Sequence, residues 1–164
     1  MNKTVYIIGP YAPSEGRTEA MNVTRAVALG ALALTEKRIP IIPHVMIGCS
    51  SLLLGRHGHP DADGLAREAS YGDRGGLAGM LRDSWATIDA ACWVLLNDDG
   101  TMSAGTQAEH DVLGAEHVDI EKHTWAGWQP RFEASGLGKL YEEASRAGTG
   151  FPRWPGDHGS LVLR

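Results

Sequence analysis

Short apolar runs divided by polar, breaker-rich stretches set the rhythm of the first two thirds of the chain. Val5-Tyr6-Ile7-Ile8 is β-prone and ends in Gly9-Pro10, which predicts a strand running into a loop. The loop from Tyr11 to Thr18 is polar. A helix is predicted from Thr18 or Asn22 to about Arg38, on its alanine content and on the apolar positions Val23, Val27, Leu29, Ala31 and Leu34. Ile39-Pro40-Ile41-Ile42-Pro43-His44 reads as a second strand. It is short and edge-like, because proline cannot donate to a sheet ladder. Leu77 to Ala91 reads as a helix with Leu81, Trp85 and Ile88 on one buried face. Cys92-Trp93-Val94-Leu95-Leu96 then forms a third strand, ending in the turn signal Asn97-Asp98-Asp99-Gly100. A further helix is predicted from about Ala104 to Glu116, with a short fourth strand over His117-Val118-Asp119-Ile120 and a last helix over Lys139–Ala147.

The alternation β-α-β-α-β-α predicts an α/β fold. It is one domain spanning residues 1–164, with a doubly wound, mostly parallel sheet of the Rossmann or flavodoxin-like kind. Two regions stand outside that rhythm. From about 46 to 79 the chain is dense in glycine (Gly55, Gly58, Gly64, Gly72, Gly75, Gly76) and is read as an insert of undefined structure. The tail from about 119 to 164 is rich in Gly, Pro and Trp, and its end is read as irregular. No repeat or low-complexity tract is present.

Composition narrows the partners. A hydrophobic fraction of 43% and a charged fraction of 21% over 164 residues are ordinary for a globular domain with a real core. A net charge of −5 argues against nucleic acid or a membrane surface as the main partner, and leaves room for a free nucleotide held by a few local donors. The only cysteines are Cys49 and Cys92, the latter inside an apolar strand. With the direct start Met1-Asn2-Lys3-Thr4-Val5, this predicts a reduced, cytoplasmic protein without a signal peptide. No apolar run reaches the ~18 residues of a membrane span.

The candidate chemistry is a pair of carboxylates. Asp83 precedes the third strand and Glu109 follows the loop leaving it, so both are expected to converge at the strand's carboxyl end, where ligands bind in open α/β sheets. Two acids there suit acid/base and nucleophilic work on a glycosidic bond.

Taken together, Val5-Tyr6-Ile7-Ile8-Gly9-Pro10-Tyr11, Pro40-Ile41-Ile42-Pro43-His44, Asp83 with Cys92–Leu96, and Ser103-Ala104-Gly105-Thr106-Gln107-Ala108-Glu109 resemble the nucleoside 2-deoxyribosyltransferase superfamily. That superfamily includes the nucleoside 5′-monophosphate N-glycosidases. The resemblance covers roughly residues 4 to 118. It implies that Glu109 is a nucleophile forming a covalent glycosyl-enzyme, that Asp83 assists proton transfer to or from the base, and that Tyr6 orients Glu109. Ser103 matches a phosphate-binding serine, and the substrate-contacting set includes Gly105, Gly9, Arg17 and His44. Ser14 and Gly16 stand as further phosphate donors. Implied, therefore, is hydrolysis of a (2′-deoxy)nucleoside 5′-monophosphate to free base and sugar phosphate. The alternatives are transfer of the deoxyribosyl group to a second base and a non-catalytic nucleotide-binding module. The resemblance also implies a homo-oligomer and no cofactor.

His44, His57, His59, Asp61 and Asp63 invite a metal reading, but the loop spacing lacks a helical His-x-x-x-His or a paired Cys-x-x-Cys, and no metal site is assigned. Trp125 and Trp128 are expected in a core or an interface rather than stacked on a base. Trp154 is the third tryptophan that the resemblance does not predict.

Overall fold

In the computed structural model, residues 4–13, 16–72, 76–84, 90–114 and 119–146 are described. The apolar runs become a four-stranded, all-parallel sheet. Its strands are β1 (Thr4–Ile8), β2 (Ile39–Ile41), β3 (Ala90–Leu96) and β4 (Asp119–Thr124), in the order β2-β1-β3-β4. Tyr6 sits opposite Ile41 on one side and Cys92 on the other, and Cys92 lies opposite Ile120. β2 is one of the two edge strands, the position where a proline is tolerated in a sheet.

Strand alternation divides the core in two. Val5, Ile7, Ala91, Trp93 and Leu95 face one layer, formed by α1 (Glu19–Thr35), α6 (Trp125–Ala134) and α7 (Gly138–Ser145). Tyr6, Ile8, Cys92 and Val94 face the other, formed by α4 (Gly76–Ser84) and α5 (Ala104–Leu113). Helices on both faces make the sheet doubly wound, as predicted. Because β1 leads to β2 on one side while β3 leads to β4 on the other, the loops leaving β1 and β3 diverge, and the crevice between them is the switch point where such sheets hold ligands.

Local signals explain the helix starts. Thr18 caps α1, accepting from the Met21 N–H at 3.2 Å, and Thr124 caps α6 through Gly127. α1 ends in a Schellman turn. Lys37 takes the left-handed conformation (φ 60°) as the Arg38 N–H reaches back to the Ala33 carbonyl at 2.9 Å.

Several elements differ from expectation. The glycine-rich stretch is helical: a π-helical turn at His44–Gly48, then α2 (Cys49–Arg56), α3 (Ala62–Tyr71) and α4. Glycine lowers helix propensity without forbidding a helix, and packing among these segments restores it. Ala90 and Ala91 belong to β3, where they are buried, rather than to the preceding helix. Trp85 and Ile88, offered as part of that helix's apolar face, lie outside the described residues, as do His117 and Val118 of the fourth strand and Trp154. β4 runs on to Thr124. α6 was not predicted; it forms despite Gly127 and Pro130, because Trp125, Trp128 and Phe132 recur on one face and are all buried. Among the described residues, no helix is long and apolar enough to cross a membrane.

Candidate active site

α5 brings the acid to the sheet. Ser103 caps the helix, its Oγ accepting from the Thr106 N–H at 3.2 Å and lying 2.7 Å from Thr106 Oγ1. One and a half turns on, Glu109 points at the Tyr6/Cys92 face of the sheet and is 5% exposed. The Tyr6 hydroxyl donates to Glu109 Oε1 at 2.8 Å, joining residues 103 positions apart. Burial lifts the Glu109 carboxyl to about 7, against the opposing effect of the Tyr6 hydrogen bond. Burial and the neighbouring Glu109 together push the Tyr6 phenol up and the Cys92 thiol up to about 12, so both stay neutral. The result is a buried carboxylate on the brink of ionisation, oriented by a phenol that keeps its proton.

Asp83 lies elsewhere. In the last described turn of α4, its side chain is 71% exposed and accepts from Arg82 Nε at 2.9 Å. Among the described residues no hydrogen bond joins it to Glu109.

The substrate-contacting candidates fall into two groups at the carboxyl ends of the strands. Ser103 and Gly105 occupy the first turn of α5. Arg17 and His44 serve the loops. Arg17 is buried, donates to Asn97 Oδ1 at 3.1 Å and pairs with Asp98 at 3.0 Å, tying the β1 loop to the β3 loop. That engagement makes it a strut across the switch point rather than an exposed anion ligand. His44 is also buried, with Nε2 at 3.0 Å from the Pro10 carbonyl and its ring edge-on to Tyr11. Burial pulls its pKa down, so it is neutral and donates to Pro10. Asn22 completes the anchoring of this loop by donating to the Ala12 carbonyl at 2.9 Å. Ser14 lies outside the described residues.

Gly9 has a packing role of its own. A Cβ there would meet Leu95 Cβ at 2.8 Å, a backbone-anchored atom that cannot swing away, so β1 and β3 approach this closely only over glycine. Gly9→Ala is expected to destabilise the fold by about 1–3 kcal/mol, read as a lowered urea midpoint with an unchanged slope. A midpoint equal to wild type would contradict this account.

Asp98 is taken up by Arg17, with Arg25 at 3.9 Å, while Asp99 accepts from the Thr101 N–H and hydroxyl and closes the turn. Among the described residues no group of three or more His, Cys, Asp or Glu side chains is arranged to hold a metal ion. His57 and His59 are exposed, and His59 Nδ1 accepts from the Asp61 N–H.

Sequence reasoning passed over Tyr71, whose hydroxyl stands over the first turn of α5, because its segment carried no readable periodicity. It also passed over Asn97, the partner of Arg17, for which a turn signal gave no hint of a long-range contact. Comparison of the chain with protein-family models, with characterised proteins and with solved structures finds no match.

Proposed function

We propose that the protein cleaves the N-glycosidic bond of a nucleoside or nucleotide, with a (2′-deoxy)nucleoside 5′-monophosphate as the substrate class and Glu109 as the nucleophile. The observation that carries this reading is the buried Tyr6–Glu109 hydrogen bond beside the switch-point crevice. A nucleophilic carboxylate must be ionised, fixed in direction and shielded from water when it meets an oxocarbenium-like carbon. Burial shields Glu109, Tyr6 fixes it, and a pKa of about 7 leaves a substantial ionised fraction at neutral pH. In the first step Glu109 bonds to C1′ as the C1′–N bond breaks and the base leaves with a proton. In the second, water attacks C1′, its proton leaves, and the Glu109 carboxylate is restored. A second base in place of water gives transfer.

Ser103 and the first-turn N–H groups of α5 suit the 5′-phosphate, since a helix start favours an anion. The leaving base needs a proton donor, and the motif assigns that role to Asp83. Incubation with a panel of nucleosides and deoxynucleoside monophosphates, with and without a free acceptor base, tests the whole proposal by chromatographic detection of released base. Asp83→Asn is expected to lower kcat by about 10²-fold or more on the best substrate. Wild-type turnover in that variant would remove Asp83 from the mechanism while leaving Glu109 in it.

One observation favours a second reading, a non-catalytic nucleotide-binding module: no second carboxylate touches Glu109 among the described residues. Nucleotide binding without base release from any member of the panel would establish it.

A further inference from the structure

We propose that Tyr71, supplied by the glycine-rich insert, contacts the sugar or phosphate of the substrate at the mouth leading to Glu109, and that Gly105 is the gap that keeps this mouth open. The proposal rests on Glu109 being the reacting group, and it assigns a role to a segment that the rest of the site leaves unused.

Gly105 and Glu109 are four residues apart on α5, so they lie on the same side of the helix, one turn apart. α5 returns from the carboxyl end of β3, which places Gly105 nearer than Glu109 to the crevice edge of the sheet. A side chain at 105 would stand in the path between that edge and the carboxylate. Glycine places no side chain there. Tyr71 is the last residue of α3, and its hydroxyl is the nearest atom to that gap, 3.5 Å from where a Cβ on Gly105 would sit. Among the described residues the hydroxyl has no hydrogen-bond partner, although the residue is partly buried. A phenol whose hydroxyl is engaged by no described residue is equipped to bind a ligand hydroxyl or phosphate oxygen. It stands beside the Ser103 end of α5, where a sugar with C1′ at Glu109 would extend.

Packing and access make opposite predictions for the same substitution, which makes the proposal testable. Replacing a helical glycine by alanine favours the helix, and 3.5 Å is ordinary contact distance, so Gly105→Ala is expected to fold with an unchanged or raised Tm. It is nevertheless expected to lower kcat/KM by about tenfold or more, because the new methyl group stands in the mouth. Tyr71→Phe is expected to keep the Tm and to lose about tenfold in kcat/KM, mostly through KM, for want of one hydrogen bond to substrate.

Access is measured independently of turnover by labelling with a water-soluble carbodiimide and an amine, mapped by peptide mass, with the exposed Asp111 as internal control. Wild type is expected to be labelled at Glu109, and Gly105→Ala to fall to the background of Glu109→Ala, with Asp111 labelled equally in all. Tyr71→Phe is expected to be labelled at least as fast as wild type. Undiminished labelling of Glu109 in Gly105→Ala, or none in wild type beside a labelled Asp111, overturns the mouth. Wild-type KM in Tyr71→Phe overturns the substrate contact. If the labelling behaves as expected but no nucleotide is turned over, the proposed reaction fails and the route to Glu109 stands.

Discussion

Glu109→Ala is expected to abolish base release, by at least about 10⁴-fold, while leaving a folded protein. The size follows from the two-step route, because without a carboxylate at C1′ no glycosyl-enzyme forms and the oxocarbenium-like carbon loses its nearest negative charge. Glu109→Gln should be equally inactive. Its amide can still accept from Tyr6, so that variant separates loss of charge from loss of shape. With the Glu109 carboxyl lifted to about 7, turnover in wild type is expected to rise with pH through that value as the nucleophile ionises. Tyr6→Phe removes the hydrogen bond that favours the ionised form, so the midpoint should move to higher pH and neutral-pH activity should fall. Near-normal release by Glu109→Ala, or a profile flat across neutrality, would discard the mechanism.

The same burial has a thermodynamic consequence. The folded pKa of Glu109, about 7, lies above its ordinary value of 4.5, so the folded state holds the proton more tightly than the unfolded chain. Its contribution to stability is therefore fully present below about 4.5 and is lost as pH rises through about 7, a swing on the order of 3 kcal/mol. Glu109→Gln should flatten the stability profile over that interval relative to wild type. The carboxylate that the proposed chemistry requires is thus one that the fold disfavours.

Trp128→Ala carries the largest expected loss of stability, about 3–5 kcal/mol, read from urea unfolding. The indole is 1% exposed and packs at 5.1 Å between ring centroids on Trp93 of the central strand β3, with the His123 ring edge-on at 4.8 Å. Arg131 closes the cluster. Its guanidinium lies 4.4 Å from the Trp93 ring centroid and 5.6 Å from that of Trp128, while it pairs bidentately with Glu36 at 2.6 and 2.7 Å and also with Glu121. Truncating Trp128 opens a void under this layer and removes the surface on which Arg131 rests. A loss below about 1 kcal/mol would show that α6 repacks, and that the tail is an accessory rather than a wall of the core.

The pattern of apolar runs was enough to specify the parallel, doubly wound sheet, since β1, β2 and β3 are each a continuous β-prone segment bounded by breakers. Thr18 and Ser103 marked their helix starts because a cap is a local interaction between residues three apart. Glu109 and Tyr6 were singled out by the family resemblance of the first strand and of Ser103–Glu109. What these patterns did not contain was α2, α3 and α6, whose glycines or proline argue against helix one residue at a time; in α6 they are outweighed by burial of Trp125, Trp128 and Phe132. Nor did the patterns contain the destinations of two charged residues, Arg17 and Asp83. One is buried against Asn97 and Asp98, 80 and 81 positions away, and the other is left in solvent beside its own neighbour Arg82. Chain-local preferences decide which segments become strands and where helices begin. Burial, the pKa of Glu109 and the approach of Tyr71 to Gly105 depend on which surfaces meet, and such long-range contacts exist only once the sheet has closed the chain upon itself.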